Sequence, residues 1–281
     1  MSNSVADMSA WIGRQIDATD VVASGQVSCL AATLDLDIDS VIQAGVLPPL
    51  WHWMFFNPQA RHSQLGTDGH PARGGFLPPV ALPNRMWAGS RLTFVKDVRI
   101  GEAITRKSEI IKCERKSGRN GDLVFVTVRH LICGESGLAI EEEHDIVYRN
   151  PTPKGVPLGG ESVTDVPGYR KRIVPDPVLL FRYSALTFNG HRIHYDHPYT
   201  TQVEGYPGLV FHGPLAATLL LEAFRANNPA AKVKKFAFRA VGPLFDNQVF
   251  DVCGKLSEPG IAQLWTDCAG RVTMKADVVF E

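Results

Sequence analysis

Gly213-Pro214-Leu215-Ala216-Ala217-Thr218-Leu219-Leu220-Leu221-Glu222-Ala223-Phe224 is the stretch on which the fold turns. Proline fits the first helical turn, where its missing N–H is not needed, and Asn227-Asn228-Pro229 supplies the stop. Between these signals apolar residues nearly encircle the axis, which predicts a helix buried on all sides. A helix that apolar needs a sheet around it, and the sequence on either side offers one. Downstream, Val272, Met274, Ala276, Val278 and Phe280 alternate with Thr273, Lys275, Asp277 and Val279, the period of a half-buried strand. Residues Phe236 and Phe238, then 249–256 and 261–268, add three further strand candidates.

Upstream, four strand-like runs at 91–98, 104–113, 123–132 and 138–148 are separated by Gly101, by the glycine-rich turn 117–121 and by the pair Gly134 and Gly137, and read as an antiparallel meander. Asp17 and Asp20 are placed to start a helix through Val27 to Leu34. The aromatic run Leu50-Trp51-His52-Trp53-Met54-Phe55-Phe56 follows, with Trp51, Trp53 and Trp87 read as core or cleft-lining residues. Residues 66–79 form a Gly/Pro-rich loop that neither a helix nor a central strand tolerates, and long ordered loops of this kind often cover sites. The acidic run Glu141-Glu142-Glu143-His144-Asp145 alternates faces within a strand signal and reads as solvated surface. Residues 151–177 lapse into Pro, Gly and charge, with Arg170, Lys171 and Arg172 as a basic run. The expected division is therefore an N-terminal unit 1–150, a linker 151–177 and a C-terminal unit 178–281. Each unit is an α+β assembly whose exposed edge strand needs covering, so the two sheets are expected to pair into a pseudo-dimer.

The whole chain has 281 residues, 44% hydrophobic and 21% charged, with a formal net charge of zero. No global field steers it toward nucleic acid or an anionic membrane, and no apolar stretch reaches spanning length, so small ligands are the expected partners. The five cysteines are odd in number, dispersed and without a CxxC pair, which suggests neither a disulfide framework nor a zinc knuckle. Residues 1–7 carry an acid and no long apolar run, so the expected location is the cytoplasm.

Chemistry concentrates in residues 182–199, where His191, His194 and His197 stand among Asn189, Arg192 and Asp196. Histidine is the side chain best able to give and take a proton at neutral pH, and a nearby carboxylate or amide can fix its tautomer. A surface loop whose histidines merely hydrogen-bond is the bland alternative, and metal binding by His191, His194, Asp196 and His197 is another. Gly208-Leu209-Val210-Phe211-His212-Gly213-Pro214 then leads straight into the buried helix. The first turn of that helix offers free N–H groups and the positive end of the macrodipole, a place for a carbonyl oxygen. Pro214 has no N–H, so the donors are Gly213 and residues from Leu215 onward. In the N-terminal loop, His70 and Arg73 are candidate contacts for the substrate or its pantetheine arm, or else plain parts of a lid.

Residues 183–199 together with 208–215 resemble the signature of MaoC-type, (R)-specific enoyl-thioester hydratases. Leu47-Pro48-Pro49-Leu50-Trp51-His52-Trp53, the loop 66–79 and Arg85-Met86-Trp87-Ala88-Gly89 are similar to the two-hot-dog subgroup, which holds mesaconyl-CoA and itaconyl-CoA hydratases and type 2 hydroxyacyl-thioester dehydratases. The resemblance implies a double hot-dog, each unit an antiparallel sheet wrapped around a central helix. It also implies a hydro-lyase that interconverts an enoyl thioester and its 3-hydroxyacyl form with no cofactor or metal. The implied substrate is a short or dicarboxylic acyl-CoA such as a mesaconyl, itaconyl or citramalyl thioester, and a homodimer of double hot-dog chains fits the same picture. The motif Asp-x-Asn-Pro-x-His is matched at its last position by His194, but Asn189, His191 and Arg192 stand at the Asp, Asn and Pro positions. The usual Asp/His pair therefore cannot be copied. The expected roles are His194 as the base that activates water, Asn189 or His191 orienting the water or the imidazole, and Asp196 orienting a histidine. Arg192 is a candidate for a substrate's free carboxylate, against simple pairing with Asp196. Three alternatives stand beside this: a 3-hydroxyacyl-carrier-protein dehydratase, a hot-dog thioesterase and a non-catalytic acyl-thioester-binding module. A thioesterase would want a carboxylate near the start of the central helix, and Glu222 is too far along it. One functional site per chain is expected, because only the C-terminal unit has the histidine-rich loop.

Overall fold

A computed structural model describes residues 8–118, 121–150 and 159–281. The expectations for 1–7, for residues 119–120 of the glycine-rich turn and for residues 151–158 of the linker lie outside the described residues. The N-terminal half runs β1 (Gln15–Val21), α1 (Ser24–Thr33), α2 (Ile38–Gln43), β2 (Asn84–Phe94), β3 (Ala103–Gly118), β4 (Gly121–Gly134) and β5 (Gly137–Arg149). The C-terminal half runs β6 (Glu161–Ser162), β7 (Tyr169–Ile173), α3 (Pro177–Leu186), α4 (Gly213–Asn227), β8 (Val233–Ala240), β9 (Phe250–Glu258), β10 (Ile261–Cys268) and β11 (Arg271–Phe280). These strands form one antiparallel sheet of 11 strands, ordered β1-β3-β4-β5-β2-β8-β11-β10-β9-β7, with β6 added to β11.

That order contains a duplication. Read outward from the seam, β2-β5-β4-β3-β1 repeats as β8-β11-β10-β9-β7, so each half is the same five-strand hot-dog and the two meet edge to edge. The seam pairs Gly89 with Arg239 through Thr93 with Lys235, which covers the exposed edge of each half as expected. Gly89 is needed there, because a Cβ would lie 2.3 Å from the Phe238 carbonyl oxygen. In the C-terminal half the sheet closes on α4, whose Leu215, Leu220, Leu221 and Phe224 are all buried. Each such side chain contributes about 1.5–3 kcal/mol of hydrophobic stabilisation. In the N-terminal half the sheet closes on α1, α2 and a 3-10 turn at Trp51–Met54. Trp51 is buried and donates from Nε1 to Glu222 Oε1 of α4 at 3.0 Å, joining the two interiors.

Four expectations need correcting. Asp17 and Asp20 do not start a helix: they lie on β1, and the helix begins at Ser24. The Asp20 carboxylate instead accepts from the Phe56 N–H at 2.7 Å. The upstream strands are not a simple meander, because β2 pairs with β5 and β8 rather than with β3. Part of the stretch read as linker is sheet, since β6 and β7 pair with β11 and β9. The basic run lies on β7, a sheet edge, where charge discourages further pairing; there Arg170 binds Asp251 at 2.8 Å. Finally, the acidic run is not all solvated. Glu142 is 2% exposed and accepts from Ser90 Oγ at 2.8 Å, Trp53 Nε1 at 3.1 Å and His52 Nε2 at 3.2 Å. Burial pushes its pKa up, but the hydrogen bond from His52 and the neighbouring imidazoles of His52, His144 and His130 overcome that and hold the carboxyl well below the usual range.

Candidate active site

The histidine-rich loop starts where α3 ends. Asp176 caps α3 by accepting from the Leu179 N–H at 2.7 Å, and Pro177 fills its first turn. After Leu186 the chain reverses through Phe188, a non-glycine residue at φ 48°, a strained left-handed geometry of the kind found where a loop must be aimed. Asn189 Oδ1 then accepts from the His191 N–H at 3.0 Å, so this amide shapes the turn. A short 3-10 turn, Arg192–His194, places His194 inward with 8% exposure.

His194 Nδ1 lies 2.7 Å from the Val210 carbonyl oxygen. A carbonyl only accepts, so Nδ1 carries the proton and Nε2 keeps its lone pair. The ring stacks on His212 at 3.7 Å and 18°. His212 is the residue immediately before α4 and occupies its N-cap. Its Nε2 is 2.9 Å from Ser184 Oγ, and its buried Nδ1 has no partner. The base, a second imidazole and the open end of α4 therefore adjoin one another. A Cβ built on Gly213 would meet nothing within 4 Å, so the approach to that end is clear. Burial lowers the pKa of His194 to about 4 despite the hydrogen bond to Val210. It depresses His212 further, and His191 as well, with neighbouring imidazoles adding to the effect. All three are neutral bases at neutral pH.

The loop 66–70 of the N-terminal half docks directly on this site. His70 lies 4.1 Å from His191, ring centre to ring centre, and His191 lies 5.5 Å from His194. Asp68 Oδ1 accepts from the His70 N–H at 3.0 Å and Oδ2 lies 3.2 Å from His70 Nδ1. Among the described residues, the ligand atoms of Asp68, His70 and His191 are the group that falls within 4.8 Å of one another, close enough to hold a metal ion. His194, Asp196 and His197 are not in that group.

Several candidate residues have other occupations. The Arg192 guanidinium binds Asp196 Oδ2 through Nε at 2.9 Å and Nη2 at 2.7 Å, donates from Nη1 to the Thr67 carbonyl at 3.0 Å, and lies 4.0 Å over the Tyr199 ring. It fastens the two loops and is not left open for a substrate carboxylate. Asp196 accepts from Arg192 and from the Tyr199 N–H and orients no histidine. Arg73 donates to the carbonyls of Val80, Leu82 and Pro83, organising its own loop. The sequence reading missed Asp68, Ser184 and His212. His212 was findable, since it stands at the N-cap position just ahead of Gly213-Pro214.

A family model described as hydroxyacyl-thioester dehydratase type 2 matches residues 50–246. The chain belongs to that family. It is 48% identical over 86% of its length to a mesaconyl-C(4)-CoA hydratase of Chloroflexus aurantiacus, covering 87% of that protein. A mitochondrial hydroxyacyl-thioester dehydratase type 2 of Schizosaccharomyces pombe is 31% identical over 90% of this chain and 89% of its own. Among solved structures, a MaoC-like dehydratase from Phytophthora capsici superposes with a TM-score of 0.72 at 12% identity, covering 96% of this chain and 95% of that one, and so supports the double hot-dog fold. As a member of this family the chain is a hydro-lyase that interconverts enoyl and 3-hydroxyacyl thioesters.

Proposed function

We propose that the chain hydrates a short dicarboxylic enoyl-CoA of the mesaconyl class, with His194 as the base. The observation that carries this is the fixed tautomer of His194, which presents an unprotonated Nε2 beside the start of α4. In hydration Nε2 takes a proton from water as its oxygen bonds to Cβ, while the negative charge reaching the thioester oxygen rests on the N–H groups of Gly213 and Leu215. His212 and Ser184 brace the face of His194.

The free carboxylate of such a substrate needs a cation, and Arg85 on β2 can supply one. Its positive charge bears on both His70 and His191, and its side chain hydrogen-bonds the Tyr148 hydroxyl. The Chloroflexus relative is named for a mesaconyl thioester, which supports the same substrate class. A thioesterase is less well served: the only acid of α4, Glu222, is bound by Trp51 and Arg225.

A panel of enoyl-CoA thioesters with and without a second carboxylate, followed by loss of enoyl-thioester absorbance, tests the substrate class. Turnover should favour the dicarboxylic members. Arg85→Gln should raise KM for them by about 10- to 100-fold, the loss of one charged hydrogen bond, and leave the KM of a monocarboxylic enoyl-CoA unchanged. Equal effects on both would remove Arg85 from substrate recognition. We also infer a cytoplasmic homodimer. All five cysteines are free thiols, suited to a reducing compartment. Val174, Val178 and Phe181, exposed by 69%, 62% and 61%, leave an apolar strip on and beside α3 for a second copy. Sedimentation as a monomer at micromolar concentration would count against the dimer.

A further inference from the structure

We propose that His70, held by Asp68, is the second proton-carrying group of this site, so that the N-terminal half supplies an acid and the C-terminal half the base. This rests on the hydration reading above. The motif position that would hold a carboxylate is Asn189, whose amide carries no exchangeable charge and whose Oδ1 is engaged by the His191 N–H. A carboxylate reaches the site by another route, on the loop of the other half.

Both oxygens of Asp68 address His70, one the backbone N–H at 3.0 Å and one the ring Nδ1 at 3.2 Å. An ionised carboxylate only accepts, so Nδ1 is protonated and Nε2 is the working nitrogen. The three rings form a row, His70 to His191 at 4.1 Å and His191 to His194 at 5.5 Å. The loop is fastened where it must be. Arg192 donates from its backbone N–H to the Asp68 carbonyl at 2.9 Å and from Nη1 to the Thr67 carbonyl at 3.0 Å. Gly69, at φ 87°, lies so close that a Cβ there would sit 1.9 Å from the Gly190 carbonyl oxygen. A Cβ on Gly190 would lie 2.8 Å from the Gly69 carbonyl oxygen, so both loops depend on glycine at the contact.

The proton balance closes without a co-reactant. In hydration His194 Nε2 takes a proton from water as the C–O bond to Cβ forms, the π pair of the enoyl bond moves toward the thioester, and His70 delivers a proton to form the Cα–H bond. One proton has then moved from His70 to His194, and His191, lying between them, is the path for its return. The carboxylate of Asp68 favours the cation on His70, whereas His194 has only the Val210 carbonyl behind it, so of the two rings His70 is the better placed to carry the mobile proton.

Five groups face His70: Asp68 and Arg73 on its own loop, Arg85 on β2, and His191 and His194 on the catalytic loop. Burial lowers its pKa most, Asp68 opposes that, and the arginines reinforce it. Hydration needs the protonated form, so turnover falls as pH rises through the His70 pKa. Removing the Asp68 charge moves that fall to lower pH.

The test measures kcat and KM from about pH 5.5 to 9 for the wild type, His70→Gln, Asp68→Asn and Asp68→Glu, on the best enoyl-CoA of the panel. His70→Gln should lose about 100-fold or more in kcat with little change in KM. Asp68→Asn should lose more at pH 8 than at pH 6, its descending limb displaced to lower pH, and Asp68→Glu should restore part of the wild-type profile. Near-normal turnover of His70→Gln overturns the proposal. So does an Asp68→Asn loss that is equal at every pH, the mark of a purely structural role. Loss of wild-type activity on dialysis against a chelator, with recovery on adding a divalent metal, would assign Asp68, His70 and His191 to an ion and overturn it too. If the wild type hydrates no enoyl-CoA at all, the hydration reading has failed, an outcome visible before any variant is compared.

Discussion

The two halves each bury a polar cluster, one built around a carboxylate and the other around stacked imidazoles. In the N-terminal half Glu142 is enclosed by Ser90, Trp53 and His52, with His144 tilted against Trp87 at 3.9 Å, His130 bonded to Ser108 at 2.8 Å, and the buried Nδ1 of His52 without a partner. In the C-terminal half His194 commits one nitrogen, and the buried Nδ1 of His212 has no partner. A buried carboxylate that accepts from three donors holds a fold together, while a neutral imidazole that keeps a lone pair at an open helix start is placed to act on something else. The duplication of the sheet thus does not extend to chemistry: one interior is organised around a charged carboxylate, and the other sets neutral imidazoles at the start of α4.

That contrast can be broken on stability. Glu142→Ala should cost about 3–5 kcal/mol, because it strands His52, Trp53 and Ser90 without their acceptor, and urea titration reads the loss directly. A change of less than about 1 kcal/mol would mean that the cluster is not the support described here. The pH dependence sharpens the contrast next. Burial lowers the pKa of His130 to about 3, and of His144 and His194 to about 4. The unfolded chain takes up protons on these residues below about pH 6.5 that the folded chain refuses, so stability should fall as pH drops from there toward 4. Glu142 works in a lower window, because its contribution is full above the ordinary carboxylate pKa and fades only below it. His144→Gln should therefore flatten the decline between pH 7 and 5 by on the order of 1–2 kcal/mol, visible in thermal midpoints. The smallest effect is expected from Asp196→Asn. Its pair with Arg192 is partly exposed and screened by solvent, so the thermal midpoint should barely move and no more than about threefold in turnover should be lost.

Much of this was legible in the sequence, for identifiable reasons. The helix Gly213–Asn227 carries its own start, stop and apolar girdle, and the β11 strand carries the period of two. What escaped depends on contacts distant in sequence. β1 is a mostly exposed edge strand, so its pattern lacks the apolar alternation that marks a strand. The parity of Glu142 was plain, but which face of β5 would be covered depends on where Trp53 and His52 come to rest. Arg192 and Asp196 stand four apart and pair as that spacing allows, which removes both from the roles their charges suggested. Asp68 gave no signal, because its value to the site comes from a loop of the other half.

The most direct test of the account is the hydration rate of His194→Gln beside the wild type, on a dicarboxylic enoyl-CoA, with both proteins shown to share one thermal midpoint at pH 7. Glutamine can still donate to the Val210 carbonyl but offers no basic nitrogen to water. Turnover should drop about 100- to 10,000-fold with folding unchanged. Near-normal hydration by His194→Gln, with Asp196→Asn inactive, would contradict the assignment and move the base to the carboxylate.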